Sequence, residues 1–77
     1  MNQTQYVAAN TGKSQADRIL GALRHAAGWA HLPDLVKASG AYAVHSRIAD
    51  LRKRGHRIEQ ESVHRGRAVH SFYRLIE

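Results

Sequence analysis

The chain has 77 residues, with 12 Lys and Arg against 6 Asp and Glu, a formal charge of +6, six His and no Cys. That length allows one domain, burying about 60–65% of its unfolded surface and leaving little room for a deep catalytic cleft. The missing Cys excludes a disulfide framework, a thiol nucleophile and a Cys-based zinc site, and it fits a reducing cytoplasm. No apolar run approaches the ~20 residues of a membrane span. The polar start Asn2-Gln3-Thr4-Gln5 lacks the apolar stretch of a signal peptide, so no membrane association is expected. What remains is a small basic domain whose charge points to an acidic partner.

Residues 1–13 show no helical or strand period and read as a flexible arm, with Tyr6 and Val7 as its anchors and Lys13 as a charge near its end. The domain proper is expected over 14–77. A first helix is predicted over about 15–27: Ser14 caps it, Asp17 three residues later completes a variant capping box, and Gly28 terminates it. Ala16, Ile19, Leu20, Leu23 and Ala27 form its apolar stripe. Trp29-Ala30-His31 reads as a minimal strand, with Trp29 sealing the core. A second helix opens at Pro33, carries Asp34 in its first turn, buries Leu32, Leu35, Val36 and Ala38, and ends at Ser39-Gly40. A third helix is predicted over about 42–54. Val44, Ile48 and Leu51 lie on one face, Gly55 closes it, and Arg52, Lys53 and Arg54 crowd its last turn. Beyond it the period changes. Residues 56–63 and 69–76 read as two strands joined through His64-Arg65-Gly66-Arg67-Ala68, a β-hairpin. Inward alternation suits Val69, Ser71, Tyr73 and Leu75 and leaves Phe72 and Ile76 on the other side.

The expected class is therefore α+β, mainly α: three helices, a short strand after the first, and a C-terminal hairpin. The segments Arg18-Ile19-Leu20-Gly21-Ala22-Leu23, Gly28-Trp29-Ala30-His31-Leu32-Pro33-Asp34-Leu35, Tyr42 to His56 and Tyr73-Arg74-Leu75 carry a likeness over residues 15–76. On these segments the chain resembles winged helix-turn-helix DNA-binding domains, above all the small ones of bacteriophages and prophages. The Arg47-Ile48-x-x-Leu51-Arg52-x-x-Gly55 core is their most specific part. The turn Ser39-Gly40-Ala41 does not match the residue count of the simple repressor-type motif, which places the chain with the winged variants. The resemblance implies a third helix in the major groove and a hairpin wing on the backbone or minor groove of double-stranded DNA. It further implies a phage-type transcriptional regulator or recombination accessory factor, in the cytoplasm or nucleoid of a bacterial host.

On a helical wheel, the face opposite Val44, Ile48 and Leu51 carries Tyr42, Ser46, Ala49 and Lys53, with Asp50 toward one edge and His45 and Arg47 on the flanks. Small side chains at Ser46 and Ala49 let a helix backbone approach base edges. Tyr42, His45, Ser46 and Arg47 are the candidate base contacts, Arg47 first, because a guanidinium bonds guanine O6 and N7 together. The competing role for Arg47 is an ion pair with Asp50 or a phosphate contact. Arg52, Lys53, Arg54 and Arg57, with Arg65 and Arg67 flanking Gly66, are the candidate backbone or wing contacts. Asp50 is expected to pair with Arg54 at i+4. Tyr73 is assigned to the core, and Tyr42 and Phe72 are expected to be exposed.

No His pair has zinc-protease spacing, although His64 and His70 face each other across the predicted hairpin. No nucleophile set or phosphate-cradling glycine loop is present, so no catalytic residue, metal or cofactor is assigned. Two other readings compete. One is a winged-helix protein-interaction module that binds an acidic host or phage protein through Phe72, Ile76 and Tyr42. The other is a nonspecific nucleic-acid binder, which lacks the interleaved aromatics of single-strand readers. One third helix spans few base pairs, so specificity calls for a homodimer or a partner protein, engaged through the arm or the Phe72/Ile76 edge.

Overall fold

A computed structural model describes residues 12–77, excluding the side chain of Lys13. The expectations for Tyr6, Val7 and the Lys13 charge lie outside the described residues. The elements are α1 (Gly12–Ala26), β1 (Ala30–His31), α2 (Leu32–Ser39), α3 (Val44–Lys53), β2 (Ile58–Arg65) and β3 (Ala68–Leu75). The strands form one antiparallel sheet in the order β1-β3-β2. This is the expected class, α+β and mainly α, in a winged-helix-like layout with a C-terminal hairpin. Among the described residues no helix is long and apolar enough to cross a membrane.

One face of the sheet packs on the helices. Ala16, Ile19 and Leu23 from α1, Leu35 from α2, Val44, Ile48 and Leu51 from α3, and Tyr73 from β3 are all at most 2% exposed. Residues three and four apart share a helix face, so these three helical stripes meet in one core. Tyr73 pairs with Ala30 on one side and Gln60 on the other, which puts it at the centre of the sheet's inner face. Val69 shares that face by alternation but is 56% exposed, because the hairpin runs past the end of the helical layer. Val36 and Ala38 are exposed rather than buried, since an eight-residue helix turns only one narrow face inward.

Several boundaries differ from expectation. Helix α1 begins at Gly12, so Ser14 is its third residue, and Asp17 pairs with Arg54 at 2.7 Å instead of closing a capping box. Its last turn is closed by Ala27, at φ 53°, whose N–H donates to the Leu23 carbonyl; Ala27 is therefore exposed, and Gly28 only follows the turn. Helix α3 begins at Val44, not Tyr42. The Ser39 hydroxyl donates to the Leu35 carbonyl and accepts the Ala41 N–H, while Gly40 takes φ 71°. That turn drives Ala41 into the core at 1% exposure and delays the helix past Tyr42. The hairpin is tighter than predicted: Arg65 pairs with Ala68, leaving Gly66-Arg67 as a two-residue turn. Gly66 has φ 60° and Arg67 a negative φ, the sign pattern of a type II′ turn, which matches strand twist and suits Gly first.

Candidate nucleic-acid interface

Helix α3 presents Ser46, Ala49 and Lys53 to solvent along the face opposite its buried stripe, as its sequence implies. Tyr42 stands fully exposed in the segment that enters the helix, not on the helix face assigned to it. His45 is exposed, and the buried Tyr73 hydroxyl pairs with its Nδ1, tying α3 to the central strand β3. Burial pushes the Tyr73 phenol above its ordinary range, and the Arg52 charge opposes that effect. The His45 ring stands edge-on to Tyr73, with centroids 5.7 Å apart.

Arg47 is only 24% exposed along its side chain, and its Nε lies 3.3 Å from Asp50 Oδ2. The contact has the distance of an ion pair without the angle of a hydrogen bond, so this buried Nε–H lacks a hydrogen-bond acceptor. Asp50 therefore belongs to Arg47 at i+3. The expected Asp50–Arg54 pair does not form, because Arg54 reaches across to Asp17.

The cations divide into two groups. Arg24, Arg47, Arg54 and Arg74 have carboxylate partners, in Glu77, Asp50, Asp17 and Glu59 respectively. Among the described residues Arg18, Lys37, Arg52, Lys53, Arg57, Arg65 and Arg67 have none. Arg52 instead donates through Nε and Nη2 to the Ile58 carbonyl, at 3.3 and 2.8 Å, and so caps the start of β2. Five of these seven fall at the exit of α3, in the link to β2 and at the hairpin turn, while Arg18 and Lys37 lie on α1 and α2. In the same link between α3 and β2, His56 Nδ1 reaches Glu77 at 2.6 Å, and Arg24 reaches it at 3.5 Å. The His56 hydrogen bond, then the His56 and Arg24 charges, hold that carboxyl below its usual range.

The outer face of the sheet carries features that the amino-acid pattern did not foretell. Trp29 is 41% exposed there, not in the core, with the Arg74 guanidinium 4.6 Å above its ring. Phe72 is half-buried, not exposed, because His31 stacks on it at 4.7 Å. His31 Nε2 lies 3.2 Å from His70 Nδ1. His64 and His70 do not meet: the register pairs His64 with Val69 and His70 with Val63, so the two rings lie on opposite faces. Alternation along β3 already grouped His70, Phe72 and Arg74. Their neighbours depend on the β1–β3 pairing, which no local pattern encodes. Among the described residues no three His, Asp or Glu side chains converge as a metal site. Comparisons with protein-family models, with curated proteins and with solved structures found no match to this chain.

Proposed function

We propose that the chain is a double-stranded DNA-binding protein of winged-helix type, with α3 in the major groove and the β2–β3 hairpin on the backbone or minor groove. The supporting observation is the segregation of cations. Of the seven described cations without carboxylate partners, five, Arg52, Lys53, Arg57, Arg65 and Arg67, follow α3 and the hairpin; Arg18 and Lys37 lie on α1 and α2. Phosphates neutralise charges of this kind and release counterions in doing so. Ser46 and Ala49 keep the exposed face of α3 shallow enough for base edges. The contact with Asp50 engages Arg47 at Nε, which leaves both Nη groups for guanine O6 and N7. His45 is held by Tyr73, whose hydroxyl pairs with Nδ1 and lies 3.4 Å from Nε2, so its ring is positioned beside the exposed face of α3. The biological role that suits this chemistry is a phage-type transcriptional regulator or recombination accessory factor, working in the bacterial cytoplasm.

The test is selection from random duplexes at moderate salt, followed by titrations at several salt concentrations. A consensus is expected. Arg47→Ala should relax preference at one base position by about 1–3 kcal/mol. Arg65→Ala and Arg67→Ala should each lower the log–log salt slope by about one for every phosphate that the removed guanidinium neutralised. Equal affinity for duplex, single strand and RNA, without a consensus, would overturn the reading. A protein-interaction module is the second reading, favoured by the exposed Trp29 and Tyr42; retention of a partner after nuclease treatment would support it.

A further inference from the structure

Among the described residues strand β2 is an edge strand, with β3 as its only strand neighbour. The phase of its backbone follows from two contacts. The Arg57 carbonyl accepts the Ile76 N–H, so in this register the odd-numbered residues of β2 direct their peptide groups toward β3. The even-numbered residues direct theirs outward, and Arg52 accordingly reaches the outward carbonyl of Ile58. Gln60, Ser62 and His64 are left with N–H and C=O groups facing away from the sheet, a template for another strand.

We infer that this edge pairs antiparallel with β2 of a second copy of the chain, centred on Ser62 opposite Ser62. In that register Gln60 faces His64 of the other copy, so three residue pairs use the groups that Arg52 leaves uncapped. Glu59, which also accepts from Arg74 of its own chain, then lies opposite Arg65 of the other copy, twice by symmetry, and Gln60, Ser62 and His64 find self-complementary partners. Charged residues on an edge ordinarily discourage pairing; here Glu59 and Arg65 attract across the seam. Sliding by one step, to centre on Glu61, sets Glu61 against Glu61 and Arg57 against Arg65, and it calls on the Ile58 carbonyl already taken by Arg52. Sliding the other way, to centre on Val63, sets Glu61 against Arg65 and Glu59 against Arg67 but leaves Gln60 opposite the turn residue Gly66, so only the Ser62–His64 pairs keep outward backbone groups to share. The occupant is thus a second copy, its register selected by the outward backbone groups and supported by the Glu59–Arg65 pairs, and the inference does not depend on DNA binding.

The test is sedimentation equilibrium of the full chain across concentrations, without nucleic acid. A reversible dimer is expected. Ser62→Pro removes an N–H that points away from β3, so it should spare the hairpin and raise the dimer dissociation constant by about tenfold or more. Glu59→Arg sets Arg against Arg65, and Arg65→Glu sets Glu against Glu59, so each variant alone should be monomeric while an equimolar mixture forms a heterodimer. That rescue cannot come from a misfolded variant. Amide spectra of each variant check that the fold is kept. A wild-type chain that stays monomeric at millimolar concentration, a dimer indifferent to Ser62→Pro, or a mixture that stays monomeric would overturn the inference.

Discussion

The hydrogen bond between Tyr73 and His45 joins the central strand of the sheet to an exposed side chain of α3, and a double-mutant cycle measures it. Tyr73→Phe keeps the fully buried ring and removes only the hydroxyl. A neutral hydrogen bond contributes about 0.5–1.5 kcal/mol net. His45 is exposed, so water takes over the imidazole nitrogen that the hydroxyl leaves, and the expected cost is about 1 kcal/mol. For a domain of this size that lowers Tm by roughly 4–8 °C. His45→Ala opens a path by which water reaches the hydroxyl, and it should cost a similar amount, about 1 kcal/mol. The double variant should then be less destabilised than the sum of the singles by about 0.5–1.5 kcal/mol. Urea denaturation of the four proteins, with equal m-values, provides the test. Additivity within about 0.3 kcal/mol would show that the contact carries no coupling and that His45 is not held by β3.

Leu51→Ala, at the fully buried end of the α3 stripe, should cost about 2–5 kcal/mol by thermal or urea melts, while Ala49→Ser on the exposed face should stay within about 0.5 kcal/mol. Gly66→Ala forces an L side chain to φ 60° at the hairpin turn and should cost about 1–2 kcal/mol, with weakened Arg65–Ala68 pairing across the turn visible by NMR. Glu77 has a folded pKa lowered chiefly by His56, so the folded state binds fewer protons than the unfolded one in the acid range. Its contribution is complete above the ordinary glutamate range and is lost as pH falls below about 4. Thermal melts from pH 6 to pH 3 should therefore fall less steeply in Glu77→Gln than in the wild type. Tyr73 has the opposite sense: burial raises its pKa, so stability should decline as pH rises through about 10, and Tyr73→Phe should remove that decline.

Local pattern determined much of this molecule. The spacing of Val44, Ile48 and Leu51 identified the buried face of α3, and with it the exposure of Ser46, Ala49 and Lys53, because a helix of 3.6 residues per turn leaves no other arrangement. Gly40 and Gly66 marked turns through their positive φ, and the β-rich C-terminus announced a hairpin. The cations flanking the hairpin turn were legible because a turn's residues face solvent whatever lies beneath the strands.

Tertiary structure decided what lies beyond the reach of a single turn or helix. Trp29 went to the outer face of the sheet, because Ala30 fills the inner position opposite Tyr73 and neighbouring residues of a strand alternate. Tyr42 left α3, because Ser39 and Gly40 turned the chain and Ala41 filled the core first. Asp50 went to Arg47 because Asp17, 37 residues before Arg54 in sequence, was closer to that guanidinium in space. The total of +6 was fixed by composition. Which of those charges lack a carboxylate partner, and where they stand, was decided only when distant acids met distant bases across the core.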